Sequence, residues 1–192
     1  MKKTYVLDTN VLIQAPYAVE CFEENTVVLP MTVLEELDNM KKEEGEKGAN
    51  VRKVIRILDA HREKGNLLEG VRMEWGGILR VEKNYRNVEL PPDLPEHKSD
   101  NRILKVCVGL SNDLKEQVIL VTKDILLRIK AQLLGIQAED FGTEQVAVHE
   151  EQYLGRREVF VPEELFKDFK KKGVPVECVY CCDMSGNHTC PE

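Results

Sequence analysis

The chain predicts a three-layer α/β/α domain around a central parallel sheet, and three observations point there. The apolar runs at 5–7, 27–30 and 118–121 are too short for helices and rich in Val, Ile and Leu, the pattern of strands covered on both faces. Segments with apolar residues at helical spacing separate them. Alternating strand and helix implies parallel pairing through right-handed crossovers.

The first strand ends on Asp8, followed by Thr9 and Asn10, after which Val11, Leu12 and Ile13 resume an apolar segment. In open α/β sheets ligands bind beyond the carboxyl ends of the strands, so an acid here is placed for chemistry. Capping of the next helix by Asp8 or Asn10 is the plainer alternative. Residues 19–22 continue a helical stretch, and Asn25-Thr26 marks a turn before the second strand. Thr32 then opens a helix with Glu35 at capping-box spacing, and Val33, Leu34, Leu37 and Met40 share one face. Residues 41–48 (KKEEGEKG) are expected to be a charged loop. A basic amphipathic helix follows, with Val51, Val54, Ile55 and Leu58 inward and Arg52, Lys53, Arg56, Arg62 and Lys64 on the other faces. Between 67 and 98 the pattern is least regular, with a turn at Trp75-Gly76-Gly77, a short strand at 78–81 and a proline-marked loop. Ser99-Asp100 starts a helix that ends near Ser111-Asn112. After the third buried strand comes Thr122-Lys123-Asp124, then a helix from about 125 to 134. Short edge strands are expected at 136–138 and 146–148.

At 192 residues the chain suffices for one domain with a proper core, expected over 1–150, with an extension over 151–192 that is partly disordered or a truncated piece. Hydrophobic content of 42% with 32% charged residues fits an ordinary soluble protein. No apolar run is long enough for a membrane span and the N-terminus lacks a signal-peptide core, so a cytoplasmic location and no membrane partner are expected. The net charge of −7 speaks against a protein that coats nucleic acid, although a cation-binding acidic cluster would lower the total by itself. Cys21 and Cys107 lie in apolar segments as small core residues. Cys178, Cys181, Cys182 and Cys190 crowd the tail, where a disulfide framework is not expected without a secretion signal.

Asp8, Asp100 and Asp124 share a context at strand ends and helix starts. The helix from Thr32 supplies a fourth acid, and its geometry separates two candidates. At 100° per residue, Glu35 points away from the apolar face into solvent, whereas Glu36 lies at its margin and can reach over the core edge. Clustered carboxylates repel and raise one another's pKa values. Binding of a hard divalent cation relieves that repulsion, and Mg²⁺ or Mn²⁺ prefers such oxygen ligands. One or two such ions can activate water for displacement at phosphorus.

The ordered stretches VLDTNVLI, PMTVLEELDNMKK, SDNRIL and LVTKDILLRIKA resemble the PIN-domain ribonucleases over roughly residues 3–150. GGILRVEKN and the ending AEDF make the similarity greatest to the N-terminal PIN domain of PhoH-like ATPases. The resemblance implies a Rossmann-like PIN fold, with the four acidic positions on Asp8, Glu36, Asp100 and Asp124 as catalytic and metal-holding residues. It also places supporting polar residues on Thr9, Asn10 and Thr122. A full PhoH-like protein continues into an ATPase domain, but this chain contains no GxxxxGK[ST], so no ATP site is expected. It is expected to be either a stand-alone PIN protein or a piece whose ATPase/helicase domain is a missing partner.

In the tail, Cys178, Cys181, Cys182, His188 and Cys190 have separations that could hold structural Zn²⁺, against the alternative of a disordered end. Arg52 and Arg56 mark either a solvated helix face or an RNA backbone track. Lys123 and Arg128 flank Asp124 and are the nearer candidates for phosphate contact. The expected function is a metal-dependent endoribonuclease on single-stranded RNA, with metal-activated water attacking phosphorus. A non-catalytic RNA-binding or assembly module with this fold is the alternative. An aspartate-nucleophile phosphatase is a weaker one, because Asn10 stands where that chemistry needs a second Asp. The sequence leaves a homo-oligomer open.

Overall fold

The computed structural model describes residues 2–85 and 87–142, together with the backbone of 181–182 and 188–189. The chain divides into two units, Met1–Ala147 and Val148–Glu192. In the first, β1 (Lys3–Leu7), α1 (Thr9–Gln14), a 3-10 helix (Pro16–Glu20), β2 (Thr26–Pro30), α2 (Met31–Met40) and α3 (Gly45–Lys64) come first. They are followed by β3 (Val71–Arg72), β4 (Ile78–Glu82), α4 (Ser99–Asp113), β5 (Gln117–Val121), α5 (Ile125–Leu133) and β6 (Gln137–Glu139). The sheet order is β3-β4-β2-β1-β5-β6, and every pairing is parallel except β3 against β4. This is the expected α/β class with a central parallel sheet.

The three strongest strand expectations coincide with the centre of the sheet. Val6, Leu7, Val27, Val28, Leu29, Ile119, Leu120 and Val121 are all 0% exposed, because helices cover both faces there. Each such side chain contributes about 1.5–3 kcal/mol when fully buried. Helices α1, α2 and α3 pack on one another, and α4 packs on α5 and also against α2. Right-handed crossovers running outward through β2 and β4, then back to β5 and β6, place α1 and α3 on one face and α4 and α5 on the other.

Helix α3 begins at Gly45, inside the stretch expected to be a loop. Two features make this turn. Gly45 takes φ 78°, a left-handed conformation suited to glycine. The Arg52 guanidinium also reaches back along the helix, donating to the carbonyls of Lys41 (3.2 Å) and Glu43 (3.1 Å). The capping box expected at Thr32 does not form. Helix α2 starts directly after Pro30 with no side-chain cap, and the buried Thr32 hydroxyl donates to Asn84 Oδ1 at 3.3 Å instead. Residues 16–20 coil as a 3-10 helix, and β3 is a two-residue strand the sequence did not announce.

Cys107 is buried and Cys21 half-buried, as core residues should be. Burial pushes both thiols up, Cys21 to about 11 with help from Glu20. Neither is a nucleophile at neutral pH.

On α4, Gly109 lies flat against the Tyr85 ring. A Cβ at 109 would stand 2.2 Å from Tyr85 Cγ, close to the backbone of Tyr85, where the side chain cannot swing aside. Gly109→Ala is therefore expected to lose about 1–3 kcal/mol as an overpacked contact. Thermal denaturation would show this as a melting point lower by several degrees. An unchanged melting point would mean the loop carrying Tyr85 yields freely.

Among the described residues no helix is long and apolar enough to cross a membrane. In the second unit, β7 (Cys181–Cys182) and β8 (His188–Thr189) pair antiparallel. The zinc expectation rests on side chains outside the described residues, and the strand expected at 146–148 and the rest of the extension also lie outside them.

Candidate active site

From β1 the chain builds outward to β2 and β4, then returns through α4 to β5 on the other flank of β1. The carboxyl ends of β1 and β5 thus bracket the point where the strand order reverses, the place where open α/β sheets leave a crevice. Asp8 is the first residue past β1. Its N–H donates to the Val121 carbonyl at 3.0 Å, which continues the β1–β5 ladder one step and fixes the backbone of Asp8.

The Asp8 side chain is only 3% exposed. Its Oδ2 accepts the Thr122 hydroxyl at 2.7 Å and Asn10 Nδ2 at 3.3 Å. Burial raises the Asp8 pKa above its ordinary value, and the charges of Glu36 and Asp100 push the same way. The bonds from the Thr122 hydroxyl and the Thr9 backbone N–H oppose that rise. Asp8 holds the N-cap position of α1, but its side chain makes no cap hydrogen bond there, so its role is not explained by capping alone.

Glu36 is half-buried on α2 while Glu35 is exposed, as the helical geometry requires. The buried Thr9 hydroxyl donates to Glu36 Oε2, tying α2 to the end of β1. Glu35 turns outward and pairs with Arg102 at 3.2 Å. Asp100 stands in the first turn of α4 and receives Lys130 Nζ from α5 at 3.2 Å. Asp124 caps α5, its Oδ1 accepting from the N–H groups of Leu126 (2.7 Å) and Leu127 (3.3 Å). Its own N–H donates to the Thr122 hydroxyl at 3.1 Å, so Thr122 joins the ends of β1 and β5 through one oxygen.

The structure therefore brings Asp8, Glu36, Asp100, Thr9, Asn10 and Thr122 into one interacting set. It links Asp124 to that set through Thr122. Lys123 and Arg128 both lean on Asp140, at 3.7 and 3.5 Å. The Arg52 guanidinium is engaged at the α2–α3 turn, and Arg56 is exposed further along α3. Lys130 and Asp140 were not singled out from the sequence. Lys130 lies 30 residues from its partner Asp100, a separation that carries no local signal, whereas Asp140 stands within the AEDF ending.

Among the described residues no group of three or more His, Cys, Asp or Glu is placed to hold a metal ion. Glu36, Asp100 and Asp124 are each engaged by a hydroxyl, an ammonium or backbone N–H groups. The donor chemistry nonetheless suits a hard divalent cation. The ligating atoms are all oxygens, and Asp8 feels the like charge of Glu36 and Asp100, which a cation between them would neutralise.

A family model described as PIN domain matches residues 5–142. Protein PhoH2 of Bacillus subtilis (strain 168) is 46% identical over 178 residues, covering 90% of this chain and 40% of that protein. Protein PhoH2 of Mycolicibacterium smegmatis is 39% identical over 149 residues, covering 76% of this chain and 34% of that one. The chain thus spans 40% or less of the length of these curated relatives. A solved PilT N-terminus domain protein from Sulfolobus solfataricus P2 covers 78% of this chain and 98% of its own at 14% identity, with a TM-score of 0.41.

Proposed function

Because this chain belongs to the PIN-domain family, a family of nucleases, we propose that it is a divalent-metal-dependent endoribonuclease that cuts single-stranded RNA at the rim where Asp8 stands. One observation carries the reading. A carboxylate buried at the strand-order reversal is held by Thr122 and Asn10 while two more acids act on it through space. A raised carboxylate among like charges, buried at such a crevice, is the setting in which catalytic and cation-holding acids are found, and it supports the reading.

Each side chain has a part. Thr122 and Asn10 fix the rotamer of Asp8, and Thr9 aims Glu36 across the gap between α2 and the end of β1. Asp8, Glu36, Asp100 and Asp124 would hold one or two Mg²⁺ or Mn²⁺ ions, with Lys130 neutralising Asp100 until then. A bound ion supplies an activated water and balances charge on the phosphoryl oxygens. Lys123 and Arg128 supply cations for the RNA phosphates on the β5 side, and Arg56 does so on α3. The proposed partner domain is an ATPase of the PhoH-like kind.

Labelled unstructured RNA incubated with Mn²⁺, Mg²⁺ or EDTA tests the proposal. Internal cuts with metal and none in EDTA are expected. Cutting that persists in EDTA, or no cutting with either metal, overturns it. The same assay separates the two neighbouring glutamates. Glu35→Gln breaks only an exposed ion pair worth about 0–1 kcal/mol, so the rate should stay within roughly threefold of the parent. Glu36→Gln removes a charge acting on Asp8 and should slow cutting by about tenfold or more.

A further inference from the structure

A groove of about 500 Å³ lies between the later turns of α3, the 3-10 helix and the turn joining β3 to β4. Lys53, Arg56 and Lys64 line it from α3, and Trp75, 58% exposed at the tip of the turn, faces them across it. The turn is tight: Met73 N–H donates to the Gly77 carbonyl at 2.8 Å, and Gly76 has φ 91°. Both acids in the groove are engaged, Glu20 by His61 Nε2 at 3.4 Å and Glu74 by Lys64 at 3.3 Å. Among the described residues Lys53 and Arg56 form no ion pair, so their charges are left over. His61 is 4% exposed, and its Nδ1 has no hydrogen-bond partner among the described residues.

We propose that this groove binds single-stranded RNA, with a base stacked on Trp75 and phosphates against Lys53 and Arg56. It rests on the nuclease reading and adds a holding site remote from the cutting rim. Unmatched cations beside an exposed indole are what an unpaired strand needs, since every base has a face to stack and every linkage a charge to meet. The turn precedes β4 and Glu20 precedes β2, so the groove sits at the amino ends of the parallel strands, opposite Asp8. The intervening strands are five residues long, about 17 Å. A stacked strand advancing about 3.4 Å per nucleotide needs at least about five nucleotides to reach from one site to the other. The groove would therefore select for length rather than sequence.

Trp75 is the one tryptophan of the chain, so its fluorescence reports the groove directly. Unstructured RNA titrated into the protein in EDTA should quench that fluorescence, and raised salt should reverse it. Trp75→Ala should weaken binding about tenfold, read by anisotropy of labelled RNA. Lys53→Glu combined with Arg56→Glu should weaken it at least as much and flatten the salt dependence. Lys53 and Arg56 are exposed, so the charge-reversed protein should melt as the parent does. With Mn²⁺ and long RNA, the Trp75→Ala protein should show a raised KM and an unchanged kcat. Absent quenching, or Trp75→Ala binding RNA as tightly as the parent, overturns the groove even where the parent still cuts RNA. Quenching with no cutting in any metal supports the groove and removes the nuclease reading instead.

Discussion

The Asp8→Asn protein is expected to cut single-stranded RNA at least about 100-fold more slowly than the parent in Mn²⁺, because charge stabilisation at phosphorus is worth several kcal/mol. Asn keeps the shape, and its Oδ1 can still accept the Thr122 hydroxyl. The same change should stabilise the metal-free protein at neutral pH. The folded-state pKa of Asp8 is raised, so its ionised form opposes folding, by about 1.4 kcal/mol for each pKa unit. That opposition is complete above the raised folded value and vanishes as pH falls toward the ordinary value of 3.8. In EDTA the melting point of Asp8→Asn should exceed the parent's at pH 7, with the gap closing as pH falls. A parent-like cutting rate would move the site elsewhere. A gap that widens toward acid would contradict the buried, like-charged setting of Asp8.

Thr122→Val should be the most damaging change that leaves all four acids in place. Its hydroxyl donates to Asp8 and accepts from the Asp124 N–H, and valine has the same shape without either capacity. Leaving that N–H without a partner costs about 1–3 kcal/mol, readable by denaturant titration. The second effect is chemical. Thr122 lowers the Asp8 pKa, so its removal lets Asp8 hold its proton to higher pH. The acid limb of the pH–rate profile should then shift upward, and Thr122→Ser should restore it. A profile that does not move would make Thr122 merely structural.

Much of this architecture was legible because its strongest determinants are local. β1, β2 and β5 stand out as apolar runs because both of their faces are covered, and the placement of Asp8 follows from where β1 must end. Glu36 was separable from Glu35 by helical angle alone, since the apolar stripe of α2 fixes which side faces the core. The first turns of α3 were hidden. Nothing in KKEEGEKG is apolar, and the helix there is held by Arg52 reaching back to two carbonyls. The Thr32–Glu35 spacing misled because burial of Thr32 overrode its capping tendency. The ties of Thr9 to Glu36 and Lys130 to Asp100 join residues 27 and 30 apart, which only the folded chain brings together. The roles given to Thr9 and Thr122 came from the family resemblance, not from any pattern in the residues.

Asp124 holds two backbone N–H groups of α5 with a single oxygen, Oδ1. Those bonds tie the carboxylate to the first turn of the helix and leave Oδ2 without a backbone donor. Under the proposed metal-holding role, Asp124 would offer one oxygen rather than a chelating pair. Any shift of α5 along its axis would carry that donor with it by the same amount, coupling the helix position to the geometry of the rim.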